Sequence, residues 1–99
     1  MTMQTLTIVA TAQARPGKEA ALRAALTGLL APTRMEAGCI NYDMHISPED
    51  PSSFLFYETW AGQAEFDAHM KSPHMKALLP RLDELCLAFP QITPWKKLD

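Results

Sequence analysis

Four stretches of the chain alternate between apolar and polar residues, and this alternation predicts four β-strands. They are rich in the β-branched and aromatic residues that strands favour. Proline interrupts the fourth stretch, and because proline cannot donate to a sheet ladder we expect this strand at an edge. The predicted strands cover residues 4–14, 39–46, 54–60 and 89–98.

The two middle strands carry residue types that commonly line binding pockets. In the second strand, Tyr42 is predicted to share a face with Ile40, while Asn41 shares the opposite face with Cys39. The third strand is the clearest of the four, and one of its faces includes a carboxylate between aromatic rings. That face is predicted to be formed by Phe54, Phe56, Glu58 and Trp60.

Helical spacing of apolar residues follows the first strand and predicts one helix from Lys18 to about Arg34. Many alanines, which favour helix, accompany the apolar stripe. Pro32 is expected to fray the end of this helix, because proline has no backbone N–H. The stripe consists of Leu22, Leu26, Leu29 and Leu30.

A second helical region follows the third strand. Residues 61–70 are predicted to form a short helix that carries His69 on its apolar side. Ser72 is a suitable N-cap and Pro73 a suitable first residue for another helix, which Pro80 must kink or restart. The apolar stripe of this last helix is Met75, Leu78, Leu82 and Leu85.

The order β-α-β-β-α-β predicts an α+β, ferredoxin-like fold with a four-stranded antiparallel sheet and helices on one face. We expect residues 1–99 to form a single domain. The strands carry apolar residues on both faces, whereas the helices can cover only one. An exposed apolar face usually marks an interface, so the sequence predicts a homodimer that associates through the sheet faces.

Composition excludes several classes of partner. The net charge of −2 provides no clustered basic face for nucleic acid. No apolar run approaches the roughly 20 residues of a transmembrane helix, and the first ten residues do not resemble a signal peptide. Cys39 and Cys86 are far apart and form no CxxC motif, so we expect free thiols and a cytoplasmic protein.

Several motifs in the middle of the chain together resemble the antibiotic biosynthesis monooxygenase family, in particular its small quinol-monooxygenase-like members. An EGC-like turn spans residues 36–39, and Tyr42 follows on the second strand. A YExW motif spans residues 57–60, and HxxxPHxK spans residues 69–76. With the chain length and the element order, the resemblance covers essentially the whole chain.

The resemblance implies a dimeric α+β barrel with a pocket between helices and sheet in each subunit. It also implies oxygenation of phenolic or quinol substrates by O2 without flavin, haem or metal, so no cofactor is expected. Haem-degrading relatives carry an asparagine and a histidine where this chain has Ala10 and a leucine near Leu79. These differences argue against haem, although Trp60 matches a tryptophan of that group.

Glu58 and His69 are the candidate catalytic residues. If Glu58 is covered, burial raises the pKa of its carboxyl and makes it a potential base. Imidazole titrates near neutral pH, which suits removal of a phenolic proton by His69. The alternatives are a glutamate paired with a lysine across a dimer and a core histidine bonded to a backbone carbonyl. The sequence alone leaves these alternatives open.

The candidate substrate-binding residues surround this pair. His74 either reaches a pocket mouth or lies in solvent. Asn41 can donate to a substrate oxygen. Tyr42 is expected to pack with its hydroxyl group at the rim of the pocket, and Trp60 either stacks on a planar ligand or is a buried structural residue. Phe56 lies beside Glu58 on the same predicted face. The three histidines have no HxH or HxxxH spacing, so no metal site is expected.

These observations favour a cofactor-independent monooxygenase that oxidises a quinol or related phenolic or polycyclic aromatic substrate with O2. Two alternatives remain. One is an isomerase or tautomerase of a small carbonyl compound; if the compound is phosphorylated, Lys71, Lys76 and Arg81 offer an anchor. The other is a non-catalytic dimeric binding module whose pocket is filled by its own side chains.

Overall fold

The computed structural model of the chain describes residues 4–99. Expectations that concern the first three residues therefore lie outside the described part. The strands are β1 Leu6–Gln13, β2 Cys39–Ile46, β3 Ser53–Trp60 and β4 Gln91–Trp95. The helices are α1 Glu19–Thr27, α2 Leu30–Arg34, α3 Gln63–Met70, α4 Pro73–Leu78 and α5 Leu82–Leu85, and a 3-10 turn, Leu79–Arg81, joins the last two.

The strands form one antiparallel sheet in the order β2-β3-β1-β4, which confirms the predicted ferredoxin-like fold. Strand β4 pairs only with β1 and lies at an edge, as its proline predicted. The helices cover one face of the sheet, here called the inner face. Strands β1 and β3 occupy the centre, so their inner side chains lie deepest in the core.

The inner face of β3 agrees with its alternating pattern. Phe54, Phe56 and Trp60 are 2%, 5% and 0% exposed, and they form the core together with Ile8 of β1. Glu58 shares this face and is only 3% exposed. A carboxylate has therefore been placed among aromatic and aliphatic side chains.

A β-bulge in β2 corrects the predicted face of Ile40. Cys39 pairs with Trp60, and Asn41 pairs with the preceding residue, Thr59, so Ile40 is the extra residue. The bulge turns Ile40 outward, where it is 57% exposed. It also directs Cys39, predicted to share a face with Asn41, towards the core. Both expectations were wrong because one inserted residue reverses the alternation.

The first helical region is divided, whereas the sequence predicted one helix. Helix α1 ends at Thr27, and α2 begins at Leu30. Pro32 explains the interruption, because it has no N–H to donate to the carbonyl of Gly28 one turn earlier. The predicted apolar stripe nevertheless packs on the sheet, with Leu22, Leu26 and Leu29 buried and Leu30 partly buried.

The second helical region begins and restarts where the sequence predicted. The backbone N–H of Met75 donates to Oγ of Ser72, the N-cap of α4, and Pro73 is the first helical residue. Pro80 lies in the 3-10 turn between α4 and α5, which confirms the expected restart. The stripe Met75, Leu78, Leu82 and Leu85 is buried.

The outer face of the sheet carries no helix within the described residues and includes two large aromatic side chains. Tyr57 is 44% exposed and Trp95 is 60% exposed. Among residues 4–99, no helix is long and apolar enough to cross a membrane.

Candidate active site

Glu36, His69 and His74 meet at the edge of the helical layer. Oε2 of Glu36 lies 2.7 Å from Nδ1 of His69 and 2.7 Å from Nε2 of His74. His69 is 2% exposed, whereas the side chains of Glu36 and His74 are 16% and 18% exposed. One carboxylate oxygen therefore joins a buried imidazole to one that reaches solvent.

A glycine turn places Glu36 in this position. Gly38 has a φ of 82°, in the left-handed region that favours glycine. A Cβ at this residue would collide with the side chain of Glu65 on α3. The carbonyl of Gly38 accepts a hydrogen bond of 2.8 Å from the N–H of Ala61, which fixes the turn against the end of β3.

The break between α3 and α4 lets the two histidines converge. Residues five apart on one continuous helix do not face each other. Here α3 ends at Met70, and α4 starts anew at Pro73 after Ser72, whose backbone is extended. Oγ of Ser72 donates to the carbonyl of His69 at 2.6 Å and lies 3.1 Å from Nε2 of His74.

Aromatic rings pack against His69. Its ring centre lies 4.7 Å from that of Trp60 and 5.5 Å from that of Tyr42. Burial lowers the pKa of His69 more strongly than its hydrogen bond to Glu36 raises it. The imidazole is therefore biased towards its neutral form.

Glu58 is the second buried ionisable group of the site. The indole N–H of Trp60 donates to its Oε1 at 2.9 Å. Burial raises the pKa of Glu58 to about 7; the hydrogen bond from Trp60 opposes this shift and the charge of Glu36 adds to it. The carboxyl group therefore exchanges its proton near neutral pH.

A narrow, mainly apolar cavity brings the ionisable groups together beneath the helices. It measures about 50 Å³. The enclosed part has room for a few water molecules. Among the residues that line it are Tyr42, Phe56, Glu58, Phe66, His69 and Met70.

Tyr42 lines this cavity and keeps its hydroxyl proton. Burial, followed by the charge of Glu58, raises the pKa of Tyr42 well above its usual range. Its ring packs against Phe56 with centres 4.8 Å apart. Tyr42 therefore combines a packing role with a polar group that keeps its proton at physiological pH.

The other sequence candidates lie outside the cavity lining. Asn41 lies on the outer face of β2, where its amide donates to the carboxylate of Asp43 at 3.1 Å. Trp60 is fully buried behind Glu58, and His74 lies at the solvent side of the Glu36 cluster. No Lys or Arg lines the cavity among the described residues.

Glu36 is the site residue that sequence reasoning missed. The sequence identifies it only as part of the EGC-like turn and indicates no role for its carboxylate. Its partners lie 33 and 38 residues later in the chain. A local pattern carries no signal for such a contact, which depends on how α3 and α4 pack beside the turn.

Comparison with known proteins identifies the family. The sequence profile described as antibiotic biosynthesis monooxygenase matches residues 5–81. Rv0793 of Mycobacterium tuberculosis is 32% identical over 92 residues, which are 93% of this chain and 90% of that protein. The chain belongs to the antibiotic biosynthesis monooxygenase family, as its motifs predicted.

Solved structures support the same assignment. PA3566 of Pseudomonas aeruginosa superimposes with a TM-score of 0.94 at 32% identity, with 100% of each chain covered. The Rv0793 structure gives 0.90 at 29% identity and covers 96% of each chain. Among sequence relatives, the protein sll1783 of Synechocystis is 30% identical over 71 residues, and the match spans 48% of that longer protein.

Proposed function

We propose that this protein is a monooxygenase that oxidises a quinol or related phenolic substrate with O2. The observation that carries the proposal is Glu58, a buried carboxyl group with a pKa of about 7 in the lining of an apolar cavity. A base is most effective when its pKa lies near the working pH. Glu58 would therefore remove a hydroxyl proton from the bound substrate.

Deprotonation makes the substrate electron-rich enough to reduce O2 directly. One oxygen atom forms a bond to a ring carbon, and the other leaves as water with the protons that the ring and its hydroxyl group lose. The substrate supplies the electrons, so the side chains need only move protons, hold the ring and exclude water.

His69 and Tyr42 would orient the substrate oxygens. His69 lines the cavity, and its Nδ1 is bonded to Glu36, so Nε2 is the ring nitrogen that remains for a substrate oxygen. Tyr42 keeps its hydroxyl proton and can donate it in a hydrogen bond to a developing oxyanion. Asn41 has no place in this arrangement because it lies on the other face of β2.

The size of the cavity adds a requirement to the proposal. A quinol ring needs more room than about 50 Å³, so lining side chains must move when it binds. Phe66, Met70 and Met75 line the cavity from the helical side, and methionine adapts readily because its chain is flexible. We expect the substrate to enter between these side chains and the sheet.

Two alternatives receive less support from the same cavity. A phosphorylated substrate requires a cationic anchor, yet Lys71, Lys76 and Arg81 are exposed and do not line it. A binding module whose interior is completely filled by its own side chains would leave no space beside His69, whereas a cavity lies there. Proton transfer without oxygen, catalysed by Glu58 on an uncharged carbonyl compound, is the remaining competitor.

The proposal also includes the assembly and the compartment. We expect a homodimer through the outer faces of two sheets, because Tyr57 and Trp95 would otherwise remain in water. A cytoplasmic location agrees with the free thiols of Cys39 and Cys86.

Oxygen uptake with a reduced naphthoquinol tests the proposed reaction. The rate above the buffer rate should fall by about 10²–10⁴-fold in Glu58→Gln, which removes the base but keeps its size. Glu49→Gln is the matched control, because Glu49 is exposed in the turn between β2 and β3. With 18O2, one labelled atom should appear in the organic product. Proton exchange without oxygen uptake would instead support the tautomerase.

A further inference from the structure

The cluster of Glu36, His69 and His74 combines residue types that commonly bind metal ions. One carboxylate and two imidazole nitrogens converge from the turn before β2, from α3 and from α4, with their ligand atoms within 4.8 Å of one another. We propose that these three side chains bind a divalent transition-metal ion of the Zn²⁺ type. This proposal stands apart from the proposed oxygenation.

The donor set suits such an ion. Zinc binds imidazole nitrogen and carboxylate oxygen at about 2.0–2.2 Å, and sites with three protein ligands keep a further position for water. Two neutral imidazoles and one carboxylate leave a single net positive charge on the bound ion. Hard cations such as Mg²⁺ and Ca²⁺ prefer oxygen ligands, so the two imidazoles favour zinc and its neighbours.

Binding requires the donor atoms to rearrange in two ways. Tetrahedral donors around zinc stand roughly 3.3 Å apart, so the 2.7 Å contacts of Glu36 must lengthen by about 0.6 Å, and the two imidazole nitrogens, which lie up to 4.8 Å apart, must approach each other. His69 is fixed in the core, but Glu36 and His74 are partly exposed and lie in a turn and in the first turn of a helix. Rotation of these two side chains can make both adjustments without moving the sheet.

The surroundings favour access of an ion from solvent. Glu36 and His74 form the exposed side of the cluster, so an ion need not pass through the apolar cavity. The ion would lie on the Glu36 side of the His69 ring. It would replace the Nδ1 proton and leave Nε2 protonated towards the cavity, where a neutral imidazole then donates a hydrogen bond.

Isothermal titration of ZnCl2 into chelator-treated protein tests the site without any substrate. We expect one zinc ion per chain with a dissociation constant on the order of 1 µM or tighter. Glu36→Gln and His74→Asn should each weaken binding by at least about tenfold. Both residues are partly exposed, so these variants should fold, and thermal unfolding without zinc checks that they do.

His45→Asn is the control, because His45 is exposed on the outer face of β2, away from the cluster. The His45→Asn variant should bind zinc with the same affinity as the unmodified protein, and zinc should raise the melting temperatures of both proteins by the same amount. Zinc affinity weaker than about 1 mM would overturn the proposal. Equal binding by all four proteins would overturn it too, because the ion would then lie elsewhere.

Discussion

The indole N–H of Trp60 donates a 2.9 Å hydrogen bond to Glu58, two residues earlier on the same face of β3. Both side chains are almost completely buried. The hydrogen bond favours the ionised carboxylate, whereas burial favours the protonated acid, and burial prevails because the pKa is raised to about 7. One strand therefore supplies both the carboxyl group and the donor that limits its pKa shift.

Glu58 should make the protein less stable at alkaline than at acidic pH. Its folded pKa of about 7 exceeds the ordinary value of 4.5, so the folded state binds the proton more tightly than the unfolded state. The stabilisation is complete below pH 4.5 and is lost as the pH rises through about 7. From the size of the shift, the loss is about 3 kcal/mol.

Urea unfolding at pH 5 and pH 8 measures this difference. Glu58→Gln has no titrating carboxyl group, so its free energy of unfolding should lack the decrease that Glu58 causes. Other groups titrate in both proteins, and the difference between the two curves therefore isolates Glu58. Parallel curves for the two proteins would show that the carboxyl group is not shifted in the folded chain.

Trp60→Phe should raise the pKa of Glu58 further, because the variant removes the N–H that favours the carboxylate. A hydrogen bond to a charged group contributes about 1.5–3 kcal/mol, which corresponds to an increase of about one to two pKa units. The acidic limb of the pH profile of kcat/KM for quinol oxidation should move to higher pH by this amount.

Trp95→Phe is the matched change on the outer face, where the indole N–H donates to Thr93 and not to the site. Its pH profile should remain unchanged. An unshifted acidic limb in Trp60→Phe would mean that Glu58 is not the group whose ionisation limits the reaction.

The sequence predicted the fold well because its main signals are local. Alternation in β3 placed Phe56, Glu58 and Trp60 on the inner face, and Pro80 marked the helix restart. The errors have local causes that a periodic pattern does not show. One inserted residue, Ile40, reversed the alternation in β2, and Pro32 divided a stripe that looks continuous.

The site was predictable only in part, because its geometry depends on packing between distant segments. The residue types and faces indicate Glu58 and His69 as candidates, and both line the cavity. They do not indicate the convergence of Glu36 with His74, which requires the turn at Gly38 and the extended backbone at Ser72 together. The pKa of Glu58 likewise depends on how completely the helices cover β3.

Gly38→Ala should destabilise the protein more than Gly17→Ala does. Both glycines have positive φ, 82° and 85°, so alanine introduces backbone strain of about 1–2 kcal/mol at either position. Only at Gly38 does the new Cβ also meet Glu65, whose Cβ would lie 2.9 Å away; nothing lies within 4 Å at Gly17.

The collision should cost a further 1–3 kcal/mol or so, measured by urea unfolding at fixed pH. Gly17→Ala serves as the control because it reproduces the strain without the contact. Equal destabilisation by the two variants would show that the turn carrying Glu36 is not tightly packed against α3.

Tyr57→Lys should convert a dimer into a monomer. Tyr57 lies on the outer face of β3 and is 44% exposed, so in a twofold assembly the substitution would bring two ammonium groups into one apolar interface. Light scattering of the unmodified protein should give twice the chain mass of 11.0 kDa, and the variant should approach the chain mass itself. Tyr57→Phe keeps the ring and should remain dimeric. An unmodified protein that is monomeric at micromolar concentration would contradict association through this face, and a Tyr57→Lys variant that stays dimeric would place the interface elsewhere on the chain.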